Sequence, residues 1–140
     1  PDQMNKLREK PELINNAVNE ILRFDAPILF NWRVLEEPYE VGGKTLPADA
    51  VIWQMLACAN HDPARFENPD VFDIERKDVA HQSFGGGVHH CIGNTLARME
   101  ARHAFTEFVQ RTKGLKIEQG KLEWSHSFFR VMASLPITFK

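Results

Sequence analysis

The residues with chemistry to offer crowd into one stretch, Ser83 to Arg98, which reads Ser-Phe-Gly-Gly-Gly-Val-His-His-Cys-Ile-Gly-Asn-Thr-Leu-Ala-Arg. Its only sulfur, Cys91, follows Gly85, Gly86 and Gly87, whose backbone reaches conformations closed to other residues and can lie close against a flat partner. Beyond the cysteine, Leu96, Ala97, Met99, Ala101, Ala104, Phe105 and Phe108 recur at three-to-four spacing, which predicts an amphipathic helix. Cys91 is therefore expected at a helix start, where free N–H groups and the dipole favour an anionic sulfur. Gly93, in the first turn, leaves no side chain between the helix and whatever the sulfur binds. A zinc cluster of His81, His89, His90 and Cys91 is the rival reading. Zinc sites usually draw paired ligands at short spacing from two elements. No second pair is present, and Phe84 and the glycines would go unexplained.

Such a loop needs a scaffold. Residues 1–10 read as a short helical lead-in, and Pro11 suits the first turn of the next helix. Leu13, Ile14, Ala17, Val18, Ile21, Leu22 and Phe24 give that helix a broad apolar stripe. Glu20 and Arg23, three apart, share a face of it. Pro27 ends the helix, because the residue before a proline avoids the helical region. Ile28 to Leu35 alternates as a strand, with Arg33 facing away from Trp32. Gly42-Gly43 predicts a hairpin turn between Tyr39–Val41 and Lys44–Leu46. Val51 to Ala59 is nearly continuously apolar and reads as a strand covered on both faces. Asn60-His61-Asp62-Pro63 then supplies turn chemistry, Ala64–Phe66 a single helical turn, and 68–82 an irregular stretch. Gly114 is the expected cap of the long helix. Leu115–Glu118 and Leu135–Phe139 read as closing strands, the latter at an edge where Pro136 is tolerated.

The bulk properties leave this reading room. A chain of 140 residues, 43% hydrophobic and 26% charged, suits one globular domain with a real core. A formal net charge of −2 exerts no global pull toward nucleic acid or acidic membranes. Cys58 lies in the apolar run and reads as a small core residue. With Cys91 reserved as a ligand no disulfide is expected, which fits a reducing, cytoplasmic setting. No stretch is long enough to span a membrane.

Phe84-Gly85-x-Gly87-x-His89-x-Cys91-x-Gly93, continuing to Leu96-Ala97-Arg98, resembles the haem-binding signature of the cytochromes P450. Glu20-x-x-Arg23 lies upstream in the order that family shows. The resemblance implies an α+β fold, mainly helical with small β-sheets, corresponding to the C-terminal part of the P450 fold over residues 1–140. It implies haem b, with Cys91 as the axial ligand of its iron. Phe84, Gly85 and Gly93 would shape the loop, Phe84 covering the sulfur. His89 and Arg33 would hold the haem propionates, a guanidinium fork suiting a carboxylate. The plain alternatives are a solvated loop histidine and an exposed strand arginine. Glu20 and Arg23 would be a buried structural pair, which the cysteine loop downstream favours over a surface ion pair. The family completes that pair with an arginine in the irregular stretch. The aligned position holds Val71, with Arg76 nearby.

Ile28, Leu29, Phe128 and Phe129 are the residues that the resemblance sends to the substrate pocket, against simple core packing. The family's distal oxygen-activating helix would precede Pro1, so no catalytic residue is assigned in this chain. The implied activity of the full-length protein is monooxygenation of an organic small molecule. Electrons would come from a ferredoxin or flavoprotein reductase, steered by exposed bases such as Lys77, Arg98 and Arg102, against a merely solvated face. Arg98, which extends the motif, would otherwise support the loop or propionate side or form an ion pair. A peroxide-driven enzyme and an inactive fragment without haem are the alternatives. Uncovered apolar surface predicts self-association of the isolated chain.

Overall fold

The computed structural model describes residues 2–118, 120, 122–125, 127 and 129–140. Helix α1 (Asp2–Glu9) leads through a 3-10 turn (Pro11–Leu13) into α2 (Ile14–Phe24). Pro11 opens that turn at the position where a missing N–H costs least. The long helix α4 (Asn94–Arg111) packs across α1 and α2. Leu7, Ala17, Ile74 and Val109 form the buried core between them, with Met4, Leu13, Ile14 and Phe72 packed around it. The inward side of α2 is not purely apolar: Glu20 and Arg23 are buried beside Ala17 and Val18.

After α2 the chain builds small antiparallel sheets. Strand β1 (Asn31–Val34) pairs with β4 (Val51–Gln54), placing Trp32 opposite Trp53. The strand expected over 28–35 is shorter than its alternation suggests, although Ile28 makes an isolated bridge to Phe129. Along β1, Asn31 and Arg33 are half-buried while Trp32 and Val34 are exposed. Strands β2 (Tyr39–Val41) and β3 (Lys44–Leu46) form the expected hairpin. Gly42 and Gly43 take φ of +56° and +72°, the left-handed pair that a tight hairpin turn demands.

The apolar run from Val51 to Ala59 is not one doubly covered strand. It divides into β4 and, past Met55, helix α3 (Leu56–Asn60). β4 has one neighbouring strand, and Val51 and Trp53 stay exposed. A five-residue helix hides only one side, here Leu56 and Asn60. Cys58 falls on the other side and is exposed, contrary to its expected place in a core. Cys58 and Cys91 are both free.

Helix α4 ends at Arg111, and the capping residue is Thr112, not Gly114. The Thr112 N–H and Oγ1 both donate to the Phe108 carbonyl, at 3.1 and 2.6 Å. Gly114 follows two residues on at φ +61°, where the chain turns away. The closing strands are short: β5 (Lys116–Ile117) pairs with β8 (Ile137–Thr138), and β6 (Glu123–Trp124) with β7 (Met132–Ser134).

Candidate functional site

The loop from Ser83 to Gly93 is held in shape by its own backbone. Gly85 and Gly87 take φ of +67° and +63°, which only glycine adopts without strain. A 3-10 turn over Gly87–His89 follows. The Cys91 N–H then donates to the Phe84 carbonyl at 2.9 Å and closes the loop. On the other side, the Asn94 N–H and side-chain amide donate to the Cys91 carbonyl at 3.3 and 2.7 Å. Cys91 is half-buried and lies three residues ahead of α4, with Gly93 as the helix N-cap. A Cβ at Gly93 would stand 3.9 Å from Cys91 Sγ and take up space beside the sulfur. Flanking the cysteine, Val88 and Ile92 are 97% and 103% exposed, apolar side chains without protein cover.

An open cleft of about 430 Å³ runs along this loop. Arg33 and His89, 56 positions apart in the chain, both line it, as do Gly85, Gly86 and Gly87. Arg33 is half-buried and donates one N–H to the Trp32 carbonyl at 2.8 Å; His89 is exposed. The neighbouring His90 is exposed too, with Nδ1 3.2 Å from the Gly85 carbonyl.

Beneath the loop lies a buried polar cluster. Arg23 grips Glu20 with two N–H groups, Nε to Oε2 at 2.7 Å and Nη2 to Oε1 at 2.9 Å, and neither residue is exposed at all. The Asp73 N–H donates to Glu20 Oε1 at 3.0 Å. Arg76 Nε donates to the same oxygen at 3.2 Å. Position 71 is therefore not where the third arginine is supplied. The Val71 side chain is exposed, and only its carbonyl joins in, accepting from Arg76 Nη2 at 2.8 Å. Burial alone would raise the Glu20 carboxyl. The hydrogen bonds from Arg23 and Asp73 and the Arg23 charge, with Arg76 added, outweigh it and hold the group below the usual glutamate range.

Asn60, which the sequence suggested only as a turn residue, links this cluster to the loop. Its carbonyl accepts from Arg23 Nη1 at 2.8 Å. Its Nδ2 donates to Ser83 Oγ at 2.8 Å, and its Oδ1 accepts the Gln82 N–H at 2.7 Å. Ser83 Oγ donates onward to the Leu22 carbonyl at 2.6 Å. The signal available was an amide residue closing an apolar run; nothing in the spacing tells that it turns inward.

Of the other singled-out residues, Ile28 and Phe129 meet in their bridge, with Leu29 beside them and half-buried. Phe128 lies outside the described residues. Lys77 is exposed, but Arg98 and Arg102 are half-buried. Arg98 is bonded internally to Asn19 and Asn94, which fits support of the loop, one of its two expected roles, and not a free steering base.

A family model for cytochrome P450 matches residues 2–136. The whole chain is 41% identical to 36% of the biotin biosynthesis cytochrome P450 of Bacillus subtilis (strain 168). It is 37% identical to 35% of the cytochrome P450 monooxygenase PikC of Streptomyces venezuelae, again over its full length. Among solved structures, the crystal structure of P450BioI in complex with hexadec-9Z-enoic acid ligated acyl carrier protein matches 100% of this chain, at a TM-score of 0.95 and 41% identity. The match covers 37% of that chain. CalO2 gives a TM-score of 0.95 at 40% identity, covering 100% of this chain and 36% of that one. The chain belongs to the cytochrome P450 family, with its α+β fold, and spans about a third of the length of the relatives it matches.

Membership implies haem, and the residues present fit it. Gly93 leaves the space beside the sulfur clear, and Ile92, next in the chain, has a fully exposed apolar side chain. The cleft wall of glycines leaves room for a flat group, and among the side chains that line it Arg33 and His89, from separate elements, are donors suited to carboxylates. Among the described residues, no helix is long and apolar enough to cross a membrane.

Proposed function

We propose that Cys91 is the axial thiolate ligand of haem b and that the whole protein is a monooxygenase, inserting one oxygen atom of O2 into an organic small molecule. The observation that carries this is the shared cleft. Gly85 to His89 of the cysteine loop form one wall, Arg33 faces them from β1, and Cys91 follows two residues past that wall, outside the cleft lining. Haem bound through a thiolate supplies iron rich in electron density, which favours O–O cleavage. This chain's part is to bind and orient. Cys91 ligates, Arg33 and His89 receive the propionates, Phe84 covers the sulfur, and Gly85 and Gly93 keep the approach clear. Glu20 and Arg23 hold the loop's base through Asn60. None of these residues is assigned proton delivery.

Ile28, Leu29, Phe128 and Phe129 are the proposed contribution to the substrate pocket, supported by the bridge that joins Ile28 to Phe129. Electrons would arrive from a ferredoxin or flavoprotein. Haem-loaded protein, reduced under carbon monoxide, should show the long-wavelength Soret band of a thiolate-bound complex. A band typical of imidazole ligation, or no haem uptake, contradicts the assignment.

A further inference from the structure

We infer that Arg98 is a positioning residue for Cys91, fixing both ends of the cysteine's backbone from outside the loop. The spectroscopic part of its test rests on the proposed role of Cys91; the geometry does not. Arg98 has only donors to offer, arranged as a rigid fork. Its Nη1 donates to Asn94 Oδ1 at 2.9 Å. That bond decides which way the Asn94 amide points: the oxygen faces Arg98, and Nδ2 faces the Cys91 carbonyl at 2.7 Å. The guanidinium carbon also stands 4.5 Å from the centre of the Phe84 ring, a cation–π distance. Phe84 is the residue whose carbonyl accepts the Cys91 N–H at 2.9 Å. Both backbone polar groups of Cys91 therefore end on residues that Arg98 touches.

The fork is itself tied down. Nε donates to Asn19 Oδ1 at 3.0 Å, and Asn19 Nδ2 donates to the Asn15 carbonyl at 2.9 Å. Asn19 thus presents its oxygen to Arg98 and anchors it to α2, the helix of Glu20 and Arg23. Without Arg98, the Asn94 amide is free to turn its oxygen toward the Cys91 carbonyl, where two acceptors repel. A lysine keeps the charge but cannot hold two amides and a ring at once.

The test compares Arg98→Lys, Arg98→Gln and Asn19→Ala with the parent protein. Hydrogen exchange at the Cys91 amide is measured first, without haem. Exchange should be roughly five- to tenfold faster in both Arg98 variants, the factor one net hydrogen bond carries, and raised by less in Asn19→Ala. In haem-loaded, reduced, carbon-monoxide-treated protein, Arg98→Lys should divide between thiolate-type and thiolate-free complexes. General loss of stability would not produce that split in the folded population. Parental exchange and an undivided thiolate band in Arg98→Lys overturn the inference. If the Arg98 variants do not fold, parental exchange in Asn19→Ala overturns it instead. Should the parent itself lack the thiolate band, the assignment of Cys91 fails, and exchange at its amide still decides the role of Arg98.

Discussion

The Glu20 carboxylate, wholly buried, accepts four hydrogen bonds: two from Arg23, one from Arg76 and one from the Asp73 N–H. Without Arg76 the buried carboxylate keeps Arg23 and loses one charge-assisted hydrogen bond, a loss of about 1.5–3 kcal/mol. Arg76→Ala should therefore lower the denaturation free energy by roughly that amount, while Val71→Ala, at an exposed side chain, should stay within about 0.5 kcal/mol. Equal effects in urea titrations would contradict the assignment. Arg76 was in view in the sequence, but its place was not. In an irregular stretch, turns such as the one joining the Arg76 N–H to the Asp73 carbonyl decide which side chain points inward, and a fixed offset does not capture them.

Acid should act on this region in two steps. Burial, then the charges of Arg98 and Arg23, push His81 down from 6.5 to about 4, and its Nδ1 accepts the Ser83 N–H. The unfolded imidazole takes up a proton that the folded one refuses. The stability it contributes is complete above about pH 6.5 and is lost as pH falls toward 4. Glu20, held below the glutamate range, adds a loss at lower pH, as its carboxylate is protonated. Urea midpoints measured against pH should begin to fall near 6.5, and His81→Gln should flatten that upper limb. An unchanged profile in the variant contradicts the account.

Between elements, the coupling is Asn60, at the end of α3. It joins Arg23 on α2 to Ser83 and Gln82 at the base of the cysteine loop. Asn60→Ala should cost about 1–3 kcal/mol for each polar group it orphans, and should loosen the loop more than it loosens β2 and β3. Exchange rates raised equally in the hairpin and the loop would count against this. α1, α2, α4 and the hairpin were legible because each has a local physical signature: apolar period, proline at a helix start, paired glycines. The run from Val51 to Ala59 was not legible, because a short apolar stretch has no period to separate strand from helix. What settles it is that β4 finds one partner strand and α3 packs against α2, and neither fact is local. The misplacement of Cys58 follows from the same cause.

At the scale of the whole molecule, the chain carries more apolar surface than its own core uses. Trp32, Val34, Val51 and Trp53 are exposed on the β1–β4 pair, and Leu96 and Met99 on α4. With a formal charge of only −2, little repulsion opposes their burial between copies. The isolated chain should self-associate, its apparent mass in sedimentation rising with concentration; a constant monomer mass would contradict this. The same surface explains why the cysteine loop could be read from the sequence more fully than the core. The loop's turns are local, set by the positive-φ glycines and the Cys91–Phe84 bond, whereas burial depends on which neighbours are present.

The central claim is that Cys91 supplies an anionic sulfur to haem iron. Its most direct test is the carbon monoxide spectrum of the reduced, haem-loaded Cys91→Ser protein beside that of the parent. The account predicts that the thiolate-type Soret band is present in the parent and gone in the variant. A variant that keeps the band unchanged would contradict it.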